Sequence, residues 1–193
     1  MATVKSYLGI PTADSTQNDA INAALDAADE EINNLCGRSF TVPADTSTRV
    51  YYPTPSDVLL NVDDIATATG LILKQDTGDN GTYDETLTIT TDFILVGNTP
   101  PYRQIQLVNG DAWPRPISNR PTVQVTAKFG YSSAAVPAAV VQASTVLAAR
   151  LYQRRSSPLG FQAGNVDTGF IRIARNDPEI MNLLTGYRLP AIA

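Results

Sequence analysis

The sequence predicts an α+β protein: a helical core of two long helices plus a short C-terminal helix, with an inserted antiparallel β sandwich or partly open barrel. Three observations predict it. Apolar residues recur at helical spacing over Ser15–Cys36. From Thr41 to Gly130 short runs rich in β-branched and aromatic residues alternate with turn residues. Helical texture then returns after Val136-Pro137 and again after Asp177-Pro178-Glu179. The expected organisation is therefore a helical core from residues 1–40 and 131–193, the latter carrying a C-terminal arm, with residues 41–130 as an inserted β module.

In the first helix, Ile21, Ala24, Leu25, Ala28, Ile32 and Leu35 fall on one stripe about 100° wide. Asp14 or Ser15 is placed to cap its start, and Gly37 stands where a left-handed C-terminal cap is expected. Asp19, Asp26 and Glu30 lie opposite the stripe, within about 40° of one another, as an acidic outer ridge. In the β region the expected strands are Arg49–Tyr52, Val58–Leu60, Leu71–Lys74, Thr86–Thr90, Phe93–Val96, Gln104–Val108 and Thr122–Phe129. Val123, Val125 and Ala127 alternate with Gln124, Thr126 and Lys128, giving one buried and one wet face. Asp79-Asn80-Gly81, Gly97-Asn98 and the pairs Pro53/Pro55 and Pro100/Pro101 mark turns.

The next helix opens with Pro137 in its first turn and buries Val140, Ala143, Ser144, Leu147 and Leu151. Arg150, Arg154 and Arg155 close it, where cations suit the helix dipole, and Ser156-Ser157-Pro158-Leu159-Gly160 ends it. Phe161–Arg175 reads as an extended arm with a strand at Gly169–Ala174. The last helix starts at Asp177-Pro178-Glu179, turns Ile180, Leu183, Leu184 and Tyr187 inward, and stops at Gly186. At that length it is marginal alone and has to dock on something.

Composition narrows the chemistry. Of 193 residues, 43% are hydrophobic and 17% charged, so the surface is short of charge, as expected when neighbouring subunits cover part of it. There is no His, which removes the usual general base, zinc ligand and partner of a nucleophilic Ser or Cys. A single Cys, Cys36, forms no intramolecular disulfide and reads as a small core residue; the reading is of a reducing cytoplasm. No apolar run suits a membrane span or a secretory signal. Net charge is −5, against a protein that coats nucleic acid. It is unevenly spread: residues 1–137 hold 8 basic and 16 acidic side chains, residues 138–193 hold 6 and 3, and those six are Arg150, Arg154, Arg155, Arg172, Arg175 and Arg188. Arg suits interfaces because its planar fork makes paired hydrogen bonds and stacks on rings.

Sites with their own chemistry are scarce. No phosphate loop or dinucleotide fingerprint is present. Asp76, Asp79, Asn80, Asp84 and Glu85 gather oxygen ligands around a glycine, but Gly78 occupies the third ligand position of a calcium loop, so a polar hairpin turn is the reading. Asp63-Asp64 and Asp29-Glu30-Glu31 offer carboxylates with no His, Lys or metal partner nearby in sequence; an enzyme using carboxylates alone is a rival reading, but nothing singles out a pair. The expectation is a non-enzyme with no cofactor and no metal. Trp113-Pro114-Arg115-Pro116 admits two readings, a core anchor or a contact on a neighbouring subunit, with Trp113 as the subunit-contact candidate.

In order and spacing these segments resemble the head–tail connector (head-completion adaptor) proteins of tailed double-stranded DNA phages. The resemblance covers nearly the whole chain. It rests on Leu35-Cys36-Gly37-Arg38-Ser39-Phe40, on Val62-Asp63-Asp64-Ile65 with Thr69-Gly70-Leu71, and on Trp113-Pro114. It continues through Val125–Tyr131 leading to Val136-Pro137, Leu147–Arg155 with Ser157–Gly160, Asp177–Ile180 and Tyr187-Arg188. The resemblance implies a virion protein, assembled in the host cytoplasm, that forms a homo-oligomeric ring, typically of twelve copies, beneath the portal. It implies that the C-terminal region reaches the portal, that other loops receive the next neck or tail protein, and that double-stranded DNA passes through the bore without specific binding. By that analogy the portal-docking candidates are Arg150, Arg154, Arg155, Phe161, Arg172, Arg175, Tyr187 and Arg188. Because a bore must pass DNA without gripping it, Asp19, Asp26 and Glu30 are the channel-lining candidates. The alternative is a free-standing β binding module, for carbohydrate for example, on a helical stalk; it would need exposed aromatics in a groove.

Overall fold

The computed structural model describes residues 1–41, 43–54, 58–108, 110–114, 116–155, 161–162, 171–172 and 178–189. The chain divides into two units, residues 1–38 with 136–193, and residues 39–135. The architecture is α+β, with helices in the first unit and antiparallel sheets in the second.

The helical unit contains α1 (Ala2–Tyr7), α2 (Asn18–Cys36), α3 (Ala138–Arg154), α4 (Pro178–Leu184) and a 3-10 turn at Thr185–Tyr187. The α2 stripe is buried as its periodicity requires: Ile21, Ala24, Ala28, Ile32 and Cys36 face inward. Gly37 ends α2 in the left-handed region, φ 65°, as expected. The expected cap at Asp14 or Ser15 is not made. Gln17 holds the N-cap position without a side-chain bond, and the Asp14 carboxylate instead accepts the Thr16 N–H and hydroxyl at 2.9 and 2.7 Å. An Asx-type bond two residues on offers that carboxylate a closer partner than the helix does.

Val4, Ile21, Ala28, Ala148 and Ala149 share one apolar cluster, which joins α1, α2 and α3. The buried Lys5 amine donates to the carbonyls of Thr12 and Asp14 at 3.1 and 2.6 Å and pins the α1–α2 connection. Pro137 is the N-cap of α3 rather than a first-turn residue. Of the expected stripe on α3, Val140 and Ala143 are buried, whereas Ser144, Leu147 and Leu151 are only half-buried. Thr145, Val146, Ala148 and Ala149 are buried in addition, because α1, α2 and α4 all pack on this helix.

In the β unit, β1 (Ser47–Tyr51), β7 (Val123–Ala127), β3 (Ile72–Gln75) and β4 (Glu85–Leu87) form one sheet in that order. The second sheet is β2 (Leu59–Ile65), β6 (Tyr102–Leu107) and β5 (Phe93–Leu95). Every pairing within these sheets is antiparallel. The sheets meet at a corner where β2 runs off β6 and onto the end of β7: Ala66 N–H donates to Lys128 O at 2.8 Å, and Gly130 N–H to Asp64 O at 2.7 Å. Leu60, Val62 and Ile65 from β2, Leu73, Phe93, Ile105, Leu107, and Val123, Val125 and Ala127 from β7 fill the space between. The β unit is therefore two antiparallel sheets with a shared core, joined along one corner. A pair, β8 (Phe161–Gln162) with β9 (Ile171–Arg172), stands where the arm strand was expected; the rest of Gly169–Ala174, Ser156–Gly160 and Asp177 lie outside the described residues.

Candidate functional site

The segment after α4 is held by its own chain. Ile180 and Leu184 are 4% and 0% exposed, so the short helix does dock. Arg150 of α3 reaches Glu179 at 3.2 Å. Beyond the 3-10 turn, Arg188 Nε donates to Leu35 O at 3.2 Å and Leu189 N–H to Cys36 O at 2.8 Å, while Arg38 Nη1 donates to Tyr187 O at 3.5 Å. Leu35 and Cys36 belong to the last turn of α2, whose carbonyls have no partner within the helix. The C-terminal strap, Pro178–Leu189, therefore caps α2. Burial pushes the Cys36 thiol up, against the pull of Arg38 and Arg188, and keeps it the inert core residue its sequence suggests.

The docking candidates thus separate. Arg150 and Arg188 are engaged inside the unit, and Tyr187 is half-buried with its carbonyl used. Arg154 is half-buried; Arg155 is exposed and stacks on Tyr152, its Cζ 4.8 Å from the ring centroid. Phe161 and Arg172 fall in the β8–β9 pair, and Arg175 lies outside the described residues. Asp19, Asp26 and Glu30 are all exposed on one face of α2. Asp29 is drawn away to α3, where its Oδ1 accepts the Ser144 hydroxyl at 2.6 Å.

Trp113 requires a correction. It is 2% exposed inside the β-unit core, so its ring is spent on its own fold rather than offered to a neighbour. That placement also takes away the one indole a carbohydrate groove could have used. The 76–85 segment behaves as a polar turn. Asp76 accepts the N–H groups of Asn80 and Gly81 at 3.1 and 2.6 Å. Asp79 accepts the Ile117 and Ser118 N–H groups at 2.7 and 2.5 Å and the Ser118 hydroxyl at 2.6 Å. Among the described residues no three His, Cys, Asp or Glu side chains come together as metal ligands, and no helix is long and apolar enough to cross a membrane.

One cluster has no signal in the sequence. Asp63 of β2 takes Arg49 Nη1 at 2.6 Å and the Tyr51 hydroxyl at 2.8 Å, and Arg49 lies over Phe129, 4.3 Å from the ring centroid. Burial, then the bond to Asp63, pushes the Tyr51 hydroxyl far up, so it stays a proton donor. The cluster ties β1 across to β2. The sequence singles out only the Asp63-Asp64 dipeptide; β1 and β2 belong to different sheets, and only the way the sheets meet brings Arg49 and Tyr51 to Asp63.

No family profile matches the chain, and no curated protein matches it. Solved structures do share its fold. The chain is similar to one in the neck of an empty gene transfer agent (GTA) particle computed with C6 symmetry, with a TM-score of 0.60 and 20% identity, covering 100% of this chain and 90% of that one. It is similar to a chain in the virion of the native particle, with a TM-score of 0.58 and 20% identity over 99% and 89% of the two chains. A third likeness is to a chain in the native neck computed with C12 symmetry, with a TM-score of 0.55 and 20% identity over 90% and 84%. The likeness is one of fold, and it spans both units.

Proposed function

We propose that this protein is a structural component of the neck of a phage-like particle, a ring-forming adaptor beneath the portal that joins head to tail and lets DNA through. The observation that carries the reading is the end-to-end likeness to a chain of a particle neck, at a TM-score of 0.60 over 100% of this chain and 90% of that one. The independent likeness of the sequence to head–tail connectors points the same way. Ring order follows the same reading: about twelve copies repeat one heterologous contact until it closes. Arg154 and Arg155, with the arm that holds Phe161, Arg172 and Arg175, face the portal protein. Arg150, Tyr187 and Arg188 support that surface from behind, and the next neck or tail protein docks elsewhere on the ring. The exposed acidic ridge Asp19, Asp26, Glu30 faces the bore, where it repels phosphates and keeps the duplex from being gripped. The chain acts without catalysis in the virion.

Imaging the native particle with its neck intact, and the same particle made without this chain, tests the reading. The expected result is a collar of copies between portal and tail, and heads without tails when the chain is missing. Tailed particles lacking the chain, or density for it elsewhere, would overturn the proposal.

A further inference from the structure

The helical unit presents little apolar surface to a neighbour. Among its described residues only Met1, Tyr7 and Val141 are large exposed hydrophobics. A ring contact still has to bury apolar area to hold. The best-formed apolar contact on this unit's outside is the one its own strap already makes: Ile180 and Leu184 buried, Glu179 on Arg150, and the last α2 carbonyls capped by Arg188 and Leu189. The groove and the strap are complementary parts, and every copy carries both. The strap's helix has seven residues, too few to persist undocked, so it must occupy some groove. It is joined to α3 through residues 156–177, of which residues 161–172 are closed by the β8–β9 pair; the ten residues outside that pair still span up to about 35 Å when extended. That tether does not oblige the strap to use the groove of its own chain.

Resting on the ring reading above, we propose that in the assembled collar the strap Pro178–Leu189 of each copy lies on the α2–α3 groove of the next copy. No contact is lost by the exchange, since each strap finds the same residues on a different chain. Tethering gives a neighbouring groove, held beside it in the ring, an effective concentration comparable to that of its own. Ring closure then lets every copy give one strap and receive one. Removing a copy means undoing two straps, so the collar gains hold without an added apolar patch on the helical unit.

The test mixes two populations of full-length chains in a Cys36→Ser background, one with Arg150→Cys and the other with Glu179→Cys, before assembly. A short bis-maleimide can join these cysteines only when a strap crosses between chains. Assembled collars are expected to give joined chains on a denaturing gel, and unassembled dilute chains none. A single-chain control with both substitutions should close on itself when dilute. Collars in which mixed chains stay unjoined, while that control still closes within each chain, would overturn the proposal. If no collar forms, joined chains at raised concentration uphold the exchange and sink the ring reading alone; self-closed chains at every concentration sink the exchange. Arg38→Cys with Tyr187→Cys, at the other end of the strap, repeats the test should the first pair disturb folding, which far-ultraviolet circular dichroism would reveal.

Discussion

Gly130 and Gly37 both adopt positive φ, at 137° and 65°, but for different reasons. A Cβ on Gly130 would run into the carbonyl oxygen of Thr41, a backbone atom that cannot swing aside. A Cβ on Gly37 would meet only Leu189 Cβ, at an ordinary 3.8 Å. Gly130→Ala therefore adds a clash to backbone strain and should cost about 2–5 kcal/mol. Gly37→Ala carries only the left-handed penalty, about 1–2 kcal/mol. Urea unfolding can follow each in its own unit, since Trp113 fluorescence reports the β unit and far-ultraviolet ellipticity the helices. An equal or larger loss from Gly37→Ala would show that the Thr41 contact is not what demands glycine at 130.

Between elements, one carboxylate fastens two loops. Asp79, in the turn after β3, holds Ile117 and Ser118, in the connection from β6 to β7. The Ser118 hydroxyl lowers its pKa below the ordinary 3.8; burial opposes this, and the Ser118 and Ile117 amides and the charge of Arg120 add to the lowering. A folded-state pKa below the unfolded one stabilises the tie fully above the ordinary value, and the tie is lost as pH falls through the lowered one. The amide resonances of Ile117 and Ser118 should accordingly titrate together with a midpoint under 3.8, and Asp79→Asn should abolish that step. A midpoint at or above 3.8 would remove the carboxylate as the fastener. Such ties mark where the sequence stops being legible. The helix α2 and strand β7 could be read directly, because their burial repeats at 3.6 and 2 residues. The helix α1 could not: six residues give less than two turns of pattern. The strand β2 was expected to end at Leu60, yet it runs to Ile65, since Asn61 and Asp63 point to water and Asp64 is buried within 3.9 Å of Arg103. The strand expected to reach Thr90 stops at Leu87, and Thr90 takes a positive φ of 72°. The strap's docking helix was visible as an apolar side, but its capping of α2 was not, because no side-chain pattern records which backbone N–H will meet which carbonyl.

Over the whole molecule, charge is where stability and function part company. The helix α2 carries Asp19, Asp26, Asp29, Glu30 and Glu31 and no Lys or Arg. Asp26 and Glu30, four residues apart on its exposed face, repel each other at a cost of about 0.2–0.5 kcal/mol. The Asp26–Glu30 pair works against folding of the single chain, whereas Asp19, in the first turn of α2, suits the helix dipole. Replacing Asp19, Asp26 and Glu30 with Asn, Asn and Gln takes three charges from the formal −5 of each copy. The isolated chain should keep its stability to within about 0.5 kcal/mol, since removing the like-charge pair favours the variant while removing Asp19 forfeits its attraction to the helix dipole. On the proposed reading, in which the ridge faces the bore, particles built from it should deliver less DNA, because the phosphates are no longer repelled; Lys at the same positions should deliver less still, with a deficit that shrinks as salt rises. Melting of the purified chain and counts of DNA-receiving cells per particle measure the two effects. Unchanged delivery by the Lys variant would place the ridge outside the bore, whatever happened to the melting temperature.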